Sequence, residues 1–92
     1  MRCFRVHVTL RQPGRQKMPV KRTAVVWVNE RDLEEAEARM RAHMIELNQS
    51  IDMIELSFAP SAAQIERLGE KEREAYESAL RDDVASYFEL RR

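Results

Sequence analysis

Cys3 and His7 are the two residues whose types could do nucleophilic or metal chemistry together. They stand four positions apart in an alternating segment, so their side chains share one face of a predicted strand. Four strand residues span about 13 Å, whereas a nucleophile and its base approach to about 3 Å. The ligands of one zinc ion each lie about 2 Å from the metal. The spacing therefore predicts neither a catalytic pair nor a metal site, and we interpret Cys3 as a small apolar filler.

Sequence motifs for catalysis or phosphate binding are absent. No H-E-x-x-H, C-x-x-C or G-x-S-x-G pattern occurs, and two glycines cannot form a glycine-rich phosphate loop. A single cysteine excludes an internal disulfide framework. Asp83, beside the C-terminal aromatic residues, is interpreted as a surface aspartate or a hydroxyl partner. We therefore expect no enzyme activity, no metal and no cofactor, with a small enzyme that uses Asp83 or His7 as an alternative.

A basic cluster in the first third of the chain is the strongest polar pattern. Residues 1–31 carry eight basic side chains and one acidic one, and the remainder carries eight basic and fifteen acidic, so the net charge is zero. Basic side chains that reach phosphates release counterions, and an aromatic ring on a sheet face can stack a base. The candidate binding residues are Arg5, His7, Arg11, Arg15, Lys17, Lys21, Arg22 and Trp27. Segment 11–22 is thus a candidate nucleic-acid contact, although the sequence pI of 6.7 is low for that class.

Two alternating segments come first in the predicted element order. Residues 2–11 alternate apolar and polar types, and residues 20–28 form a second alternating segment after a connection with two prolines and a glycine. The second segment turns Ala24, Val26 and Val28 towards the core and Val25 and Trp27 towards the other face. The two strands form a basic hairpin within residues 1–28.

Two helices and a third strand are predicted after the hairpin. Asn29 is the expected N-cap of a helix over 30–47, and Asn48 is the expected left-handed residue that ends it. Residues 51–59 are predicted as a strand that ends at Pro60. Ser61 and Gln64 form a capping-box signature, so a helical segment is expected over 61–90 with a break near Gly69.

These elements predict a single α+β domain over residues 1–92 with the order β-β-α-β-α. The right-handed crossover rule gives a three-stranded, mainly antiparallel sheet of order 2-1-3, a split βαβ arrangement that is part of a ferredoxin-like layout. Helices packed on one face leave the other face open, and that open face carries Arg5, His7 and Trp27.

The pattern as a whole predicts a small, non-enzymatic binding protein. No segment is apolar enough to span a bilayer, so we expect a cytoplasmic chain. In size, charge density and lack of catalytic residues it resembles accessory proteins of phages and plasmids, including inhibitors of host nucleoprotein machines. The expected role is an adaptor or inhibitor that engages a protein or nucleoprotein partner through the basic hairpin and the open face. A direct RNA- or DNA-binding module is the alternative, and a homodimer is compatible with the predicted edge strands.

Overall fold

The fold is seen in a computed structural model, which describes residues 1–11 and 18–89. The described residues form four strands and three helices, an α+β fold. In chain order they are β1 (Arg2–Leu10), β2 (Lys21–Val28), α1 (Leu33–Glu46), β3 (Gln49–Phe58), α2 (Ala62–Glu66), α3 (Glu70–Asp82) and β4 (Val84–Phe88).

The four strands form one antiparallel sheet in the order β3-β1-β2-β4. The predicted α+β class is confirmed, and β1 lies between β2 and β3, which are joined through α1. The expected three-stranded sheet and ferredoxin-like layout are wrong, because β4 adds a fourth strand beside β2 and the helices pack on both faces.

The first face of the sheet is covered by α1. The helix buries Ala36, Met40 and Met44 at three- and four-residue spacing, which is the stripe that a surface helix turns towards a core. These side chains pack on the inward residues of β1 and β2, namely Phe4, Val6, Val8, Ala24, Val26 and Val28. This is the face that the alternation in β1 and β2 predicts. The N-cap of α1 is Asp32, whose carboxylate accepts from the Glu35 amide, so the expectation of Asn29 is wrong.

The second face of the sheet is partly covered by α3. Ala75 and Ala79 of α3 pack on Cys3, Val25 and Trp27, and the small alanines allow the helix to approach the strands closely. Trp27 is only 2% exposed, and its ring meets Tyr76 edge-on at 5.7 Å between centroids. The expectation that all helices pack on one face and leave Trp27 on an open face is therefore wrong.

The C-terminal segment bends where the sequence predicts but does not continue as a helix. The capping box of Ser61 and Gln64 is confirmed, and Gly69 is the N-cap that separates α2 from α3. α3 ends at Asp82, and Asp83 takes a positive φ of 72°. The chain then turns back as β4, so the predicted helix to residue 90 is wrong.

Strand β3 contains two register shifts against β1. Its pairing skips Asp52 between Ile51 and Met53, and it skips Glu55 between Ile54 and Leu56. An extra residue in one strand of an antiparallel pair is a β-bulge, which redirects the side chains beyond it. The predicted strand is present, but because of these bulges its side chains do not alternate simply between the two faces of the sheet.

We predict that the burial of Trp27, the single tryptophan, is measurable. Its fluorescence should be blue-shifted and resistant to acrylamide quenching in the folded chain. Trp27→Ala should lower the free energy of unfolding by about 3–5 kcal/mol, as for other large-to-small core changes. Trp27→Phe should cost less, because it retains an aromatic ring and removes an indole N–H that has no hydrogen-bond partner among the described residues. Quenching as ready as that of free tryptophan would contradict this account.

Candidate functional site

A groove lies where α2 and α3 leave the second face of the sheet incompletely covered. Its volume is about 410 Å³. Its buried floor is formed by Cys3, Val25 and Trp27. The remaining lining is partly exposed and comprises Arg5, Leu56, Phe58, Pro60, Gln64, Arg67, Leu68, Glu72, Tyr87 and Glu89. We call this surface the groove; it has an apolar floor and charged side chains at its margin.

An ionic network adjoins the groove on the same face. Arg5 donates to Glu89 at 2.8 Å, and its Nε lies 3.0 Å from Glu55 Oε2. Nε2 of His7 donates to the other Glu55 oxygen at 2.8 Å. The bulge at Glu55 turns its carboxylate to this face. Arg5 and His7 therefore face carboxylates, and the Arg5 ion pairs are partly solvated, which limits the stabilising contribution of each to about 1 kcal/mol or less.

The predicted binding residues separate into four locations. Arg5 and His7 lie on the second face, and by alternation along β2 Lys21 lies on that face too, opposite Thr9. Arg22 points to the first face, where its guanidinium lies 5.0 Å from the Phe88 ring centroid. Arg11 is exposed at the end of β1, and Trp27 is in the floor of the groove. Arg15 and Lys17 lie outside the described residues.

Thr23, His7 and Glu55 form a chain of contacts that has the residue types of a nucleophile, a base and an acid. The Thr23 hydroxyl lies 3.3 Å from Nδ1 of His7, and Nε2 of His7 contacts Glu55. Neither Thr23 nor His7 lines the groove, and Glu55 is shared with Arg5. The chain thus lies on a sheet surface beside the groove. The other residue considered for catalysis, Asp83, is an exposed turn residue whose carbonyl accepts from the Asn29 amide.

Cys3 is buried in the floor of the groove. Burial, with a smaller contribution from Glu72, raises the pKa of its thiol to about 12. The thiolate is the nucleophilic form of cysteine. Cys3 therefore remains a protonated packing group at neutral pH. The nearby Tyr87 hydroxyl has its pKa raised to about 12, also mainly by burial.

His43 and Ser86 meet on the first face, between α1 and β4. His43 Nε2 lies 2.9 Å from the Ser86 hydroxyl oxygen. Burial lowers the pKa of His43, so its imidazole is neutral at pH 7. No hydrogen bond to Nδ1 is found within residues 1–11 and 18–89. The contact gives the half-buried imidazole ring a hydrogen-bond partner. The described residues supply no third group of the kind that orients a catalytic histidine.

The sequence did not point to the residues that complete the groove. Leu56 and Phe58 come from β3, Leu68 from the connection between α2 and α3, and Tyr87 from β4, so no single local spacing relates all four. One signal was available: residues 24–28 of β2 are apolar on both faces. A strand with that pattern is covered on both faces, which indicates a helix over Trp27.

Metal and membrane sites are not indicated in the described part of the chain. Its His, Cys, Asp and Glu side chains form no cluster of three that could hold a metal ion. None of its helices has the length and apolar character that crossing a bilayer requires. No family model, curated protein or solved structure matches this chain.

We predict that Cys3 resists modification in the folded chain. A thiol reagent such as dithionitrobenzoate at pH 8 should react with it slowly, and should react completely once guanidinium unfolds the chain. The exposed position of Ser57 supplies a control, because Ser57→Cys should add one rapidly reacting thiol. Rapid reaction of the folded wild type would show that the groove floor is open to solvent.

We also predict that the stability of the fold decreases as the pH falls below about 6.5, the ordinary pKa of histidine. Because burial lowers the pKa of His43 in the folded state, the unfolded chain takes up the proton first and is stabilised by it. The free energy of unfolding should therefore fall between pH 7 and pH 5. His43→Gln retains a hydrogen-bonding group for Ser86 and should remove this part of the pH dependence. An unchanged pH profile in that variant, measured by urea unfolding, would contradict the prediction.

Proposed function

We propose that the chain is a non-enzymatic binding protein, an adaptor or inhibitor that engages a protein or nucleoprotein partner through the second face of its sheet. The groove is the observation that carries this proposal. It combines a buried apolar floor with charged groups at its margin, and Leu56 at its edge is 42% exposed. Interface hot spots have the same composition, a desolvated apolar pocket within a polar rim.

The surface that continues from the groove indicates a macromolecular partner. The bulges in β3 bring Met53 and Leu56 to the second face, where Met53 is 52% exposed. Lys21 lies at the far end of this face, paired with Thr9. Six residues of β1 separate Cys3 in the groove floor from Thr9, a distance of about 20 Å. A ligand that fills the groove and reaches Lys21 must therefore have the dimensions of a protein surface.

The basic end of the sheet is suited to acidic or phosphate groups on that partner. Lys21 and Arg11 are exposed there, whereas Arg5 is occupied by Glu55 and Glu89. Trp27 is not available to stack a base, because it is buried under α3. Of the two interactions expected for direct nucleic-acid binding, base stacking and attraction to phosphates, only the second is supported. We therefore favour a partner whose protein part occupies the groove.

We predict that Leu56→Asp abolishes partner capture while the fold is retained. The variant places a carboxylate at the edge of an apolar groove and should lower retention of the partner about tenfold or more. Leu80→Asp is the matched control, because Leu80 is 49% exposed on α3 and does not line the groove. The measurement is a pull-down from a nuclease-treated lysate of the source organism, with circular dichroism of each variant.

The outcome separates the proposal from its alternatives. A protein captured by wild type and Leu80→Asp, and lost from Leu56→Asp, supports the groove as the binding site. Equal capture by all three variants contradicts it. Recovery of nucleic acid alone from a parallel lysate without nuclease, reduced by added salt and by the Lys21→Glu substitution, would instead support the direct nucleic-acid-binding alternative.

A further inference from the structure

The free edge of β4 has fewer features that oppose strand pairing than the free edge of β3: it has no bulge and no charged residue of its own, and only Lys71 contacts it among the described residues. β3 is the other edge of the sheet, and it carries two bulges with Asp52 and Glu55 at them, features that protect edges from pairing. β4 pairs with β2 in one unbroken register, and its five side chains, Val-Ala-Ser-Tyr-Phe, are uncharged. An unbulged, uncharged edge is a template for another strand.

The backbone groups that β4 turns outward can be assigned from its pairing. The Asn29 amide donates to the Asp83 carbonyl and the Glu89 amide donates to the Thr23 carbonyl. In an antiparallel pair the bonded residues alternate, so the odd-numbered residues of β4 bond to β2. The amides and carbonyls of Val84, Ser86 and Phe88 therefore point to the free edge. The Lys71 ammonium contacts the Phe88 carbonyl there, at 3.3 Å, which agrees with this assignment.

Open space borders this edge on both faces of the sheet. Towards α1 there is a groove of about 450 Å³ that Val84 and His43 help to line. Towards α3 there is a smaller one of about 180 Å³, lined in part by Ala85 and Ser78. Side chains of an added strand point alternately to the two faces, so each would enter one of these spaces.

We propose that β4 pairs with β4 of a second copy of this chain, antiparallel about a two-fold axis at Ser86, to make a continuous eight-stranded sheet. This register places Val84 opposite Phe88 of the second copy and Ala85 opposite its Tyr87. Each pair joins a small side chain to a large one, and no charged residue lies within the paired strands. Asp83 and Glu89, which flank β4, would face each other across the two copies, and this acidic pair should weaken the dimer at neutral pH. The zero net charge of the chain adds no long-range repulsion between copies.

Charges on α1 are complementary in the same arrangement. α1 connects β2 to β3, which run in the same direction, so it returns antiparallel to both strands and therefore parallel to β4. Arg39 and Glu46 both line the α1-side groove and lie seven residues apart on α1, and Arg39 also contacts Glu30 and Glu35 of its own chain. The two-fold axis brings Arg39 of one copy towards Glu46 of the other. A five-residue strand pair is small for an interface, so the dimer should dissociate on dilution through the micromolar range.

Sedimentation equilibrium of the wild-type chain and of two proline variants tests the proposal. Ser86→Pro removes the outward amide at the two-fold axis, and it leaves the β2 bonds intact because that amide does not take part in them. It should raise the dimer dissociation constant about 50-fold or more, from two lost hydrogen bonds and a steric conflict. Ser57→Pro is the matched control. The Arg11 amide bonds to Asn48, so the odd-numbered residues of β1 bond to β3 and the even-numbered ones do not. Ser57 is opposite Phe4, so its amide points outward at the free edge of β3. Ser57→Pro should leave the dimer unchanged.

A cysteine variant tests the register and does not depend on the folding of Ser86→Pro. Directly opposed, bonded residues in antiparallel strands have Cα atoms about 5.5 Å apart, within the range that a disulfide spans. Mild oxidation should therefore link Ser86→Cys into a dimer and leave Ser57→Cys mainly monomeric, with the buried Cys3 inert in both. A wild type that stays monomeric at hundreds of micromolar, a dimer lost in Ser57→Pro instead, or equal cross-linking of the two cysteine variants would overturn the proposal.

Discussion

The pairing of β4 with β2 is the constraint on which the other surfaces of this fold depend. It makes β2 an interior strand, and it carries Ala85 and Tyr87 to the second face beside Val25 and Trp27. Because α3 immediately precedes β4 and must return antiparallel to it, the helix lies over the same part of that face. The tryptophan is buried in consequence, and the space that remains open becomes a groove.

Two local features shape the groove and the surface beside it. The buried positions of α3 are alanines, so the helix lies close to the strands and leaves the wider gap beside α2, at Leu68 and Phe58. The bulges in β3 turn Glu55 and Leu56 to the same face, one as a partner of Arg5 and the other as an exposed apolar contact. In a strand without bulges, adjacent side chains point to opposite faces, so only one of Glu55 and Leu56 would lie on this face.

Elements with strong local signals were predictable, and those fixed by distant contacts were not. The alternation of β1, the stripe of α1, the left-handed Asn48 and the capping box at Ser61 all lie within a few residues of sequence and are observed. β4 is not predictable locally, because the four-residue spacing of Leu80, Val84 and Phe88 fits a helix equally well. Its strand state depends on β2, some sixty residues away. The bulges and the salt bridge of Arg5 with Glu89 likewise arise from tertiary pairing, which alternation does not encode.

The most direct test of this account is a solution NMR measurement of the contact between β2 and β4. Val26 and Ser86 are directly opposed and not bonded to each other, a geometry that brings their Cα atoms to about 4.5 Å. The account predicts a strong nuclear Overhauser effect between their α protons, together with contacts between the Trp27 and Tyr76 rings. Sequential amide–amide contacts of helical type across residues 84–88, with none to β2, would contradict it.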